Sequence, residues 1–180
     1  MKARSLLAVC IMVAALPVMG QEGPLLKEGQ VDANALVDAL APKPPVRTRS
    51  LRIVRDDVGT PAVSPKQAKA HLLITFDTNS ANLTPAAKQA LDVVAQAMSS
   101  ERLAAARFAI EGHADPRGLA AANMKLSQSR AESVRDYLAG NAHIDRARLD
   151  AVGKGDSELI NKAVPSAPEN RRVTLVNLSR

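Results

Sequence analysis

Apolar residues recur along this chain at two spacings, and the changes between them mark its elements. From His71 to Phe76 they alternate, with Leu72, Ile74 and Phe76 on one side, which predicts a strand. Ala87, Leu91, Val94 and Met98 then fall at steps of four, three and four, which predicts a helix lying on a sheet. Thr84-Pro85 is a good start for it, a capping hydroxyl followed by proline at the first helical position, and it should run to about Ser99. Arg107 to His113 alternates again, with Phe108 and Ile110 on one face and Ala109 and Glu111 on the other. Pro116 and Gly118 turn the chain. A long helical pattern follows from about Leu119 to Ala139, with its inward stripe expected at Leu119, Leu126, Val134 and Leu138, and Gly140-Asn141 ends it. Leu149 to Val152 reads as a third strand, turned by Gly153-Lys154-Gly155. Asp156 to Glu169 is a polar loop, and Arg172 to Leu178 is the last strand, with Val173 and Leu175 on one face. Strand, helix, strand, helix, strand, strand predicts a two-layer α/β sandwich with the helices on one face of the sheet.

Ahead of His71 the pattern is different. Met1 to Gly20 reads as a secretory signal peptide: Lys2 and Arg4 are the positive end, Ser5 to Leu16 the apolar centre, and Val18 and Gly20 the small residues before a cut at Gln21. The apolar run is shorter than the ~20 residues a membrane span needs. Leu7-Ala8-Val9-Cys10 bears a faint likeness to a lipoprotein box but lies too early in that run. Gln21 to Lys69 is punctuated by Gly and Pro and is expected to be a low-order arm, with the domain proper running from 70 to 180. Inside the arm, Val31 to Leu40 is amphipathic, a helix of two or three turns with Leu36, Val37 and Leu40 on one side. Arg47, Arg49, Arg52 and Arg55 then make a basic run, read as a solvated linker or as an electrostatic contact with an anionic surface.

Composition narrows the chemistry. Apolar residues are 46% of the chain but aromatic ones only 2%, with Phe76, Phe108 and Tyr137 the full set, so the core must be aliphatic. Binding to sugar faces or to unstacked bases leans on aromatic platforms, and a chain this poor in them is not expected to bind nucleic acid or glycan faces. The lone cysteine, Cys10, leaves with the signal peptide, and so do Lys2 and Arg4, taking the formal charge from +6 to +4. A modest positive charge suits an acidic polymeric partner.

The long helix holds the unusual feature. Asn123 and Arg130 fall on its inward stripe, and an amide and a guanidinium do not point inward unless something satisfies them. Asp115, at the exit of the second strand and near the start of that helix, is the candidate partner. On the residues alone, a structural salt bridge and a ligand site stand about equal.

Gly112-His113-Ala114-Asp115-Pro116-Arg117-Gly118, then Asn123, then Leu126-Ser127-Gln128-Ser129-Arg130-Ala131, then Val134 and Leu138, resembles the OmpA C-terminal-like domain. Gly153-Lys154-Gly155 and Asn170-Arg171-Arg172-Val173 follow in the family's order, and Phe76-Asp77-Thr78-Asn79-Ser80 matches its opening strand and turn. The likeness covers about Ala70 to Arg180. Ala114 departs from it, since the family usually has Thr there. The resemblance implies a mixed sheet in a β-α-β-α-β-β order and non-covalent binding of peptidoglycan through the diaminopimelate of its stem peptide. Asp115 would take the ammonium of that residue and Arg130 its carboxylate, in the forked geometry a guanidinium provides. Asn123 and Asn79 would be the neutral hydrogen-bonding partners, with Arg171 carried over more weakly. It implies an exported protein, in the periplasm or on the periplasmic face of the outer membrane, linking envelope to wall.

Other chemistries find less support. His113 and Asp115 invite an acid–base reading, but no nucleophile accompanies them, so His113 is expected to pack beneath the pocket and the chain not to be an enzyme. His71 and His143 lack ligand-like spacing, the glycines show no phosphate-loop pattern, and neither metal nor cofactor is expected. The rival from another class is a periplasmic scaffold that uses the same domain as a platform for envelope proteins.

Overall fold

A computed structural model describes residues 23–42, 67–77 and 80–179. The expected signal peptide, the basic run from Arg47 to Arg55, and Asn79 lie outside the described residues. Five strands form one mixed sheet: β1 (Leu25–Lys27), β2 (Lys69–Leu73), β3 (Phe108–His113), β4 (Leu149–Gly155) and β5 (Val173–Asn177). Their spatial order is β1-β2-β5-β3-β4. β5 is antiparallel to both its neighbours, and the outer pairs β1–β2 and β3–β4 are parallel. Three helices pack on the sheet: α1 (Ala33–Leu40), α2 (Pro85–Met98) and α3 (Ala120–Gly140). From β2 onward the order is the strand–helix–strand–helix–strand–strand expected from the periodicity, and the architecture is an α/β sandwich.

The local rules that start the helices are visible. The Thr84 hydroxyl accepts from the Ala87 N–H at 3.2 Å and Pro85 opens α2. Asp32 does the same for α1, accepting from the Ala35 N–H at 2.8 Å. One aliphatic cluster fills the space between sheet and helices. Leu91, Val94 and Met98 of α2, Val134 and Leu138 of α3, and Leu72, Phe108, Ile110, Val173 and Leu175 of the sheet are all fully buried in it.

The segment from Gln21 to Lys69 is not a low-order arm where the structure describes it. β1 pairs with β2, the Pro24 carbonyl accepts from the His71 N–H at 2.8 Å, and Leu36 and Leu40 of α1 are fully buried in the common core. Asn177 of β5 donates to the Leu40 carbonyl at 2.8 Å. The domain therefore takes in residues before 70, and a boundary at Ala70 falls inside β2. A three-residue strand has no periodicity to read, and its partner lies more than forty residues on.

α3 also differs in detail. Its inward face is Asn123, Ser127, Ala131, Val134 and Leu138, whereas Leu119 is 78% exposed and Leu126 only half-buried. Small residues line its first half because the helix lies directly on two strand glycines. A Cβ at Gly112 would meet the Ser127 carbonyl oxygen at 2.2 Å, and one at Gly153 would meet the Gln128 nitrogen at 2.7 Å. Side chains of α3 then close gaps in the ladder of β4: the Gly153 N–H donates to Gln128 Oε1 at 2.6 Å and the Gly155 N–H to Ser127 Oγ at 2.9 Å. This contact fixes where α3 begins over the end of β3.

Candidate ligand-binding site

The chain leaves β3 at His113 and reaches α3 seven residues later, and the turn between them is tied down where it leaves the strand. The His113 N–H donates to the Arg172 carbonyl at 2.9 Å and the Ala114 N–H to the Gly155 carbonyl at 2.7 Å. Ala114, where the family usually has Thr, is buried at this junction. Asp115 comes next, with its side chain only 6% exposed. Arg117 meets it with two guanidinium bonds, Nε to Oδ1 at 3.0 Å and a terminal nitrogen to Oδ2 at 2.8 Å, and with its backbone N–H to Oδ1 at 3.1 Å. Arg171 donates to Oδ2 at 2.8 Å. The Arg117 bonds, then that of Arg171, hold the Asp115 carboxyl well below the usual carboxylate range, against the opposing effect of burial.

Arg130 reaches the same region from the middle of α3. Its Nε donates to the Ser80 carbonyl at 3.0 Å, and its guanidinium lies over the Phe76 ring, 4.9 Å from the centroid. No described carboxylate lies within ion-pairing distance of it. Burial, then the charge of Arg171, lowers its pKa, and Asp115 acts the other way. It is the less neutralised of the two charges.

A cavity of about 540 Å³ opens beside Arg130, lined by residues that include Phe76, Asp77, His113, Arg117, Arg130, Arg171 and Arg172. The sequence-expected residues divide over it. Arg130 and Arg171 line this cavity, from α3 and the approach to β5, whereas Asp115 is not part of the lining and reaches it only through Arg117 and Arg171, which line the cavity and bond its carboxylate. Asn123 does not line it: its amide donates to the Asp115 backbone carbonyl at 3.1 Å and to Asp156 at 3.3 Å, so it buckles the turn that presents Asp115. Three residues were missed. Phe76 carries the stacking face under Arg130, Arg172 lines the cavity, and Arg117 pairs with Asp115. The signals available were the position of Arg117 two residues after the acid, in a Pro–Gly turn, and the family-like motifs that contain Phe76 and Arg172.

His113 lies in the cavity floor, 2% exposed, with Nε2 3.2 Å from the Thr174 hydroxyl. Burial, reinforced by Arg172, His71, Lys154 and Lys69, lowers its pKa to about 3, so it is neutral at ordinary pH. Glu111 and His113 of β3 and Glu158 of the loop after β4 bring donor atoms within 4.8 Å of one another. The Lys154 ammonium already lies between the two carboxylates, 3.2 Å from Glu111 and 2.9 Å from Glu158, where a cation would otherwise neutralise them.

Residues 75–172, which hold this cavity and most of the fold around it, match the OmpA family. The chain belongs to the OmpA family. Among its relatives, "Outer membrane protein A" of Yersinia pseudotuberculosis is 36% identical over 118 residues, 60% of this chain and 33% of that protein. "Outer membrane protein A" of Bordetella avium is 39% identical over 105 residues, 56% of this chain and 51% of the relative. The matches thus take in a third to a half of those relatives' length. The OmpA-like domain of FopA1 from Francisella tularensis shares the fold, with a TM-score of 0.53 at 21% identity over 61% of this chain and 71% of that one. Among the described residues, no helix is long and apolar enough to cross a membrane.

Proposed function

We propose that this chain binds peptidoglycan non-covalently through the diaminopimelate of the stem peptide, and so links the cell envelope to the wall. The free end of diaminopimelate carries an ammonium and a carboxylate on one carbon. Its receptor needs an anion and a cation on one cavity that do not neutralise each other. The observation that carries the reading is that pairing pattern. Arg130 is pinned by the Ser80 carbonyl and the Phe76 ring, with no described carboxylate on it, while Asp115 stays ionised beside the same cavity. Arg130 takes the ligand carboxylate and Asp115 the ammonium. Arg171 steadies Asp115, and Asn123 holds the turn. Such a protein works in the periplasm or on the periplasmic face of the outer membrane, which accords with the apolar leader of the sequence.

The test is co-sedimentation of the purified protein with sacculi of the diaminopimelate type and of the Lys type. The protein should pellet with the first only. A Lys-type stem leaves Arg130 without its carboxylate, a loss on the order of 2–5 kcal/mol by analogy with broken charge pairs at interfaces. Asp115→Ala and Arg130→Ala should each abolish pelleting while circular dichroism shows the fold retained. Wild-type pelleting by either folded variant would reduce the corner to a structural feature. Equal pelleting with both walls would remove diaminopimelate as the determinant.

A further inference from the structure

We propose that Arg117 occupies the seat of the ligand's ammonium, and that ligand binds by exchange with it. The inference rests on the reading of Asp115 above. A carboxylate offers about four lone-pair positions. The four bonds to Asp115, three from Arg117 and one from Arg171, use them all. The acid that should receive a ligand's ammonium is therefore saturated by the protein's own cations, and the ammonium enters only if one leaves.

Arg117 is the one that leaves. Its side chain is 66% exposed, and Asp115 is its one ion-pair partner among the described residues. On release, its guanidinium passes into water at little desolvation penalty. Arg171 is less exposed, at 39%, and also donates to the Ser166 carbonyl at 3.3 Å, so it stays. Arg117 also lines the cavity, so its departure widens the space the ligand enters. The exchange sets a requirement on the guest. A cation replaces the guanidinium charge for charge, whereas a neutral amide at that place cannot compensate the broken bidentate pair. Arg117 thereby sets the threshold that any guest must pass to reach Asp115, while the ionised Asp115 carboxylate itself supplies the preference for a free diaminopimelate amine over one that a cross-link has made an amide.

The test is calorimetric titration of the full chain with a synthetic stem tripeptide, blocked at its alanine and ending in meso-diaminopimelate. A second peptide has the diaminopimelate side-chain amine acetylated. Arg117→Gln should bind the free-amine peptide tighter by on the order of three- to tenfold, since the pair it removes is exposed but bidentate. Arg117→Lys should fall between, because an ammonium cannot bridge both oxygens. The acetylated peptide brings no cation to exchange for the guanidinium, so Arg117→Gln should change its affinity less than that of the free-amine peptide, and the free-amine preference should widen. Equal or weaker binding of the free-amine peptide by Arg117→Gln, with Asp115→Asn inactive, would overturn the exchange and leave the diaminopimelate reading in place. Wild-type affinity in Asp115→Asn, or no binding by any of the proteins, would overturn both.

Discussion

The two faces of the sheet are built on opposite principles. The face under the helices is aliphatic, and Leu72, Phe108, Ile110, Val173 and Leu175 disappear into a core shared with α1, α2 and α3. The residues that alternate with them are polar and nearly as buried: His71 is 6% exposed, Glu111 8%, His113 2% and Thr174 1%. Thr174 Oγ1 lies 2.9 Å from His71 Nδ1 and 3.2 Å from His113 Nε2. Lys69 and Lys154 approach Glu111 at 3.8 and 3.2 Å. The first face holds the fold by burial, which is indifferent to pH. The second holds charges and hydrogen bonds in place, and it runs into the cavity where His113 and Arg172 form part of the lining. Stability thus rests mainly on the helix side, while the cavity takes its lining both from α3 and from the end of the polar side.

The comparison breaks most easily on the helix side. Leu36→Ala, in the segment before β2, should destabilise the chain by about 2–5 kcal/mol in urea unfolding, as a fully buried leucine does. A change under 0.5 kcal/mol would mean that α1 is an accessory to the core. Gly112→Ala should cost about 1–3 kcal/mol, because its Cβ lands 2.2 Å from the Ser127 carbonyl oxygen and α3 must lift to admit it. Diaminopimelate binding should weaken with it, since α3 carries Arg130.

The polar face is sharpened by pH. The His113 pKa is about 3 folded and 6.5 unfolded, so between those values the unfolded chain binds the proton that the native chain refuses. Stability is full above pH 6.5 and is lost as pH falls toward 3, by about 1–2 kcal/mol between pH 6.5 and 5. His113→Gln should flatten that part of the profile, and a slope unchanged from wild type would assign it to another group. Asp115 works lower down. Its contribution is present above the ordinary aspartate value and lost as pH falls through its depressed folded one, so wall binding should persist at pH 5. The smallest effect belongs to neither face. Arg107 and Asp150 pair at 3.0 Å with both side chains largely exposed, and Asp150→Ala should shift stability by less than about 1 kcal/mol.

Much of the fold was legible in the residues because its main signals are local. Alternation and helical spacing gave the elements from β2 to β5, and Thr84-Pro85 marked the start of α2. The OmpA likeness brought Asp115, Arg130 and Arg171 together before any geometry was known. The start of the domain was misjudged, because β1 is three residues long and pairs with a strand far along the chain. On α3, apolar character pointed to Leu119 and Leu126. The close approach to Gly112 and Gly153 instead selected small residues for that face, and a contact of that kind is invisible to hydrophobicity.

What the sequence determined by itself is the set of elements, the aliphatic character of the core and the presence of an acid, an amide and a guanidinium at one end of a helix. Those follow from short-range spacing and residue type. Only the tertiary structure decided who pairs with whom. Asp115 was expected to partner the Asn123 amide and the Arg130 guanidinium. Its carboxylate is instead taken by Arg117 and Arg171, Asn123 holds the turn through a backbone carbonyl, and Arg130 rests on Ser80 and Phe76. Four side chains, Arg117, Asn123, Arg130 and Arg171, are candidates for one carboxylate, and the sequence alone leaves its partner open. The choice falls to the register of α3 over the strand glycines and to the strand order that brings Arg171 beside the turn.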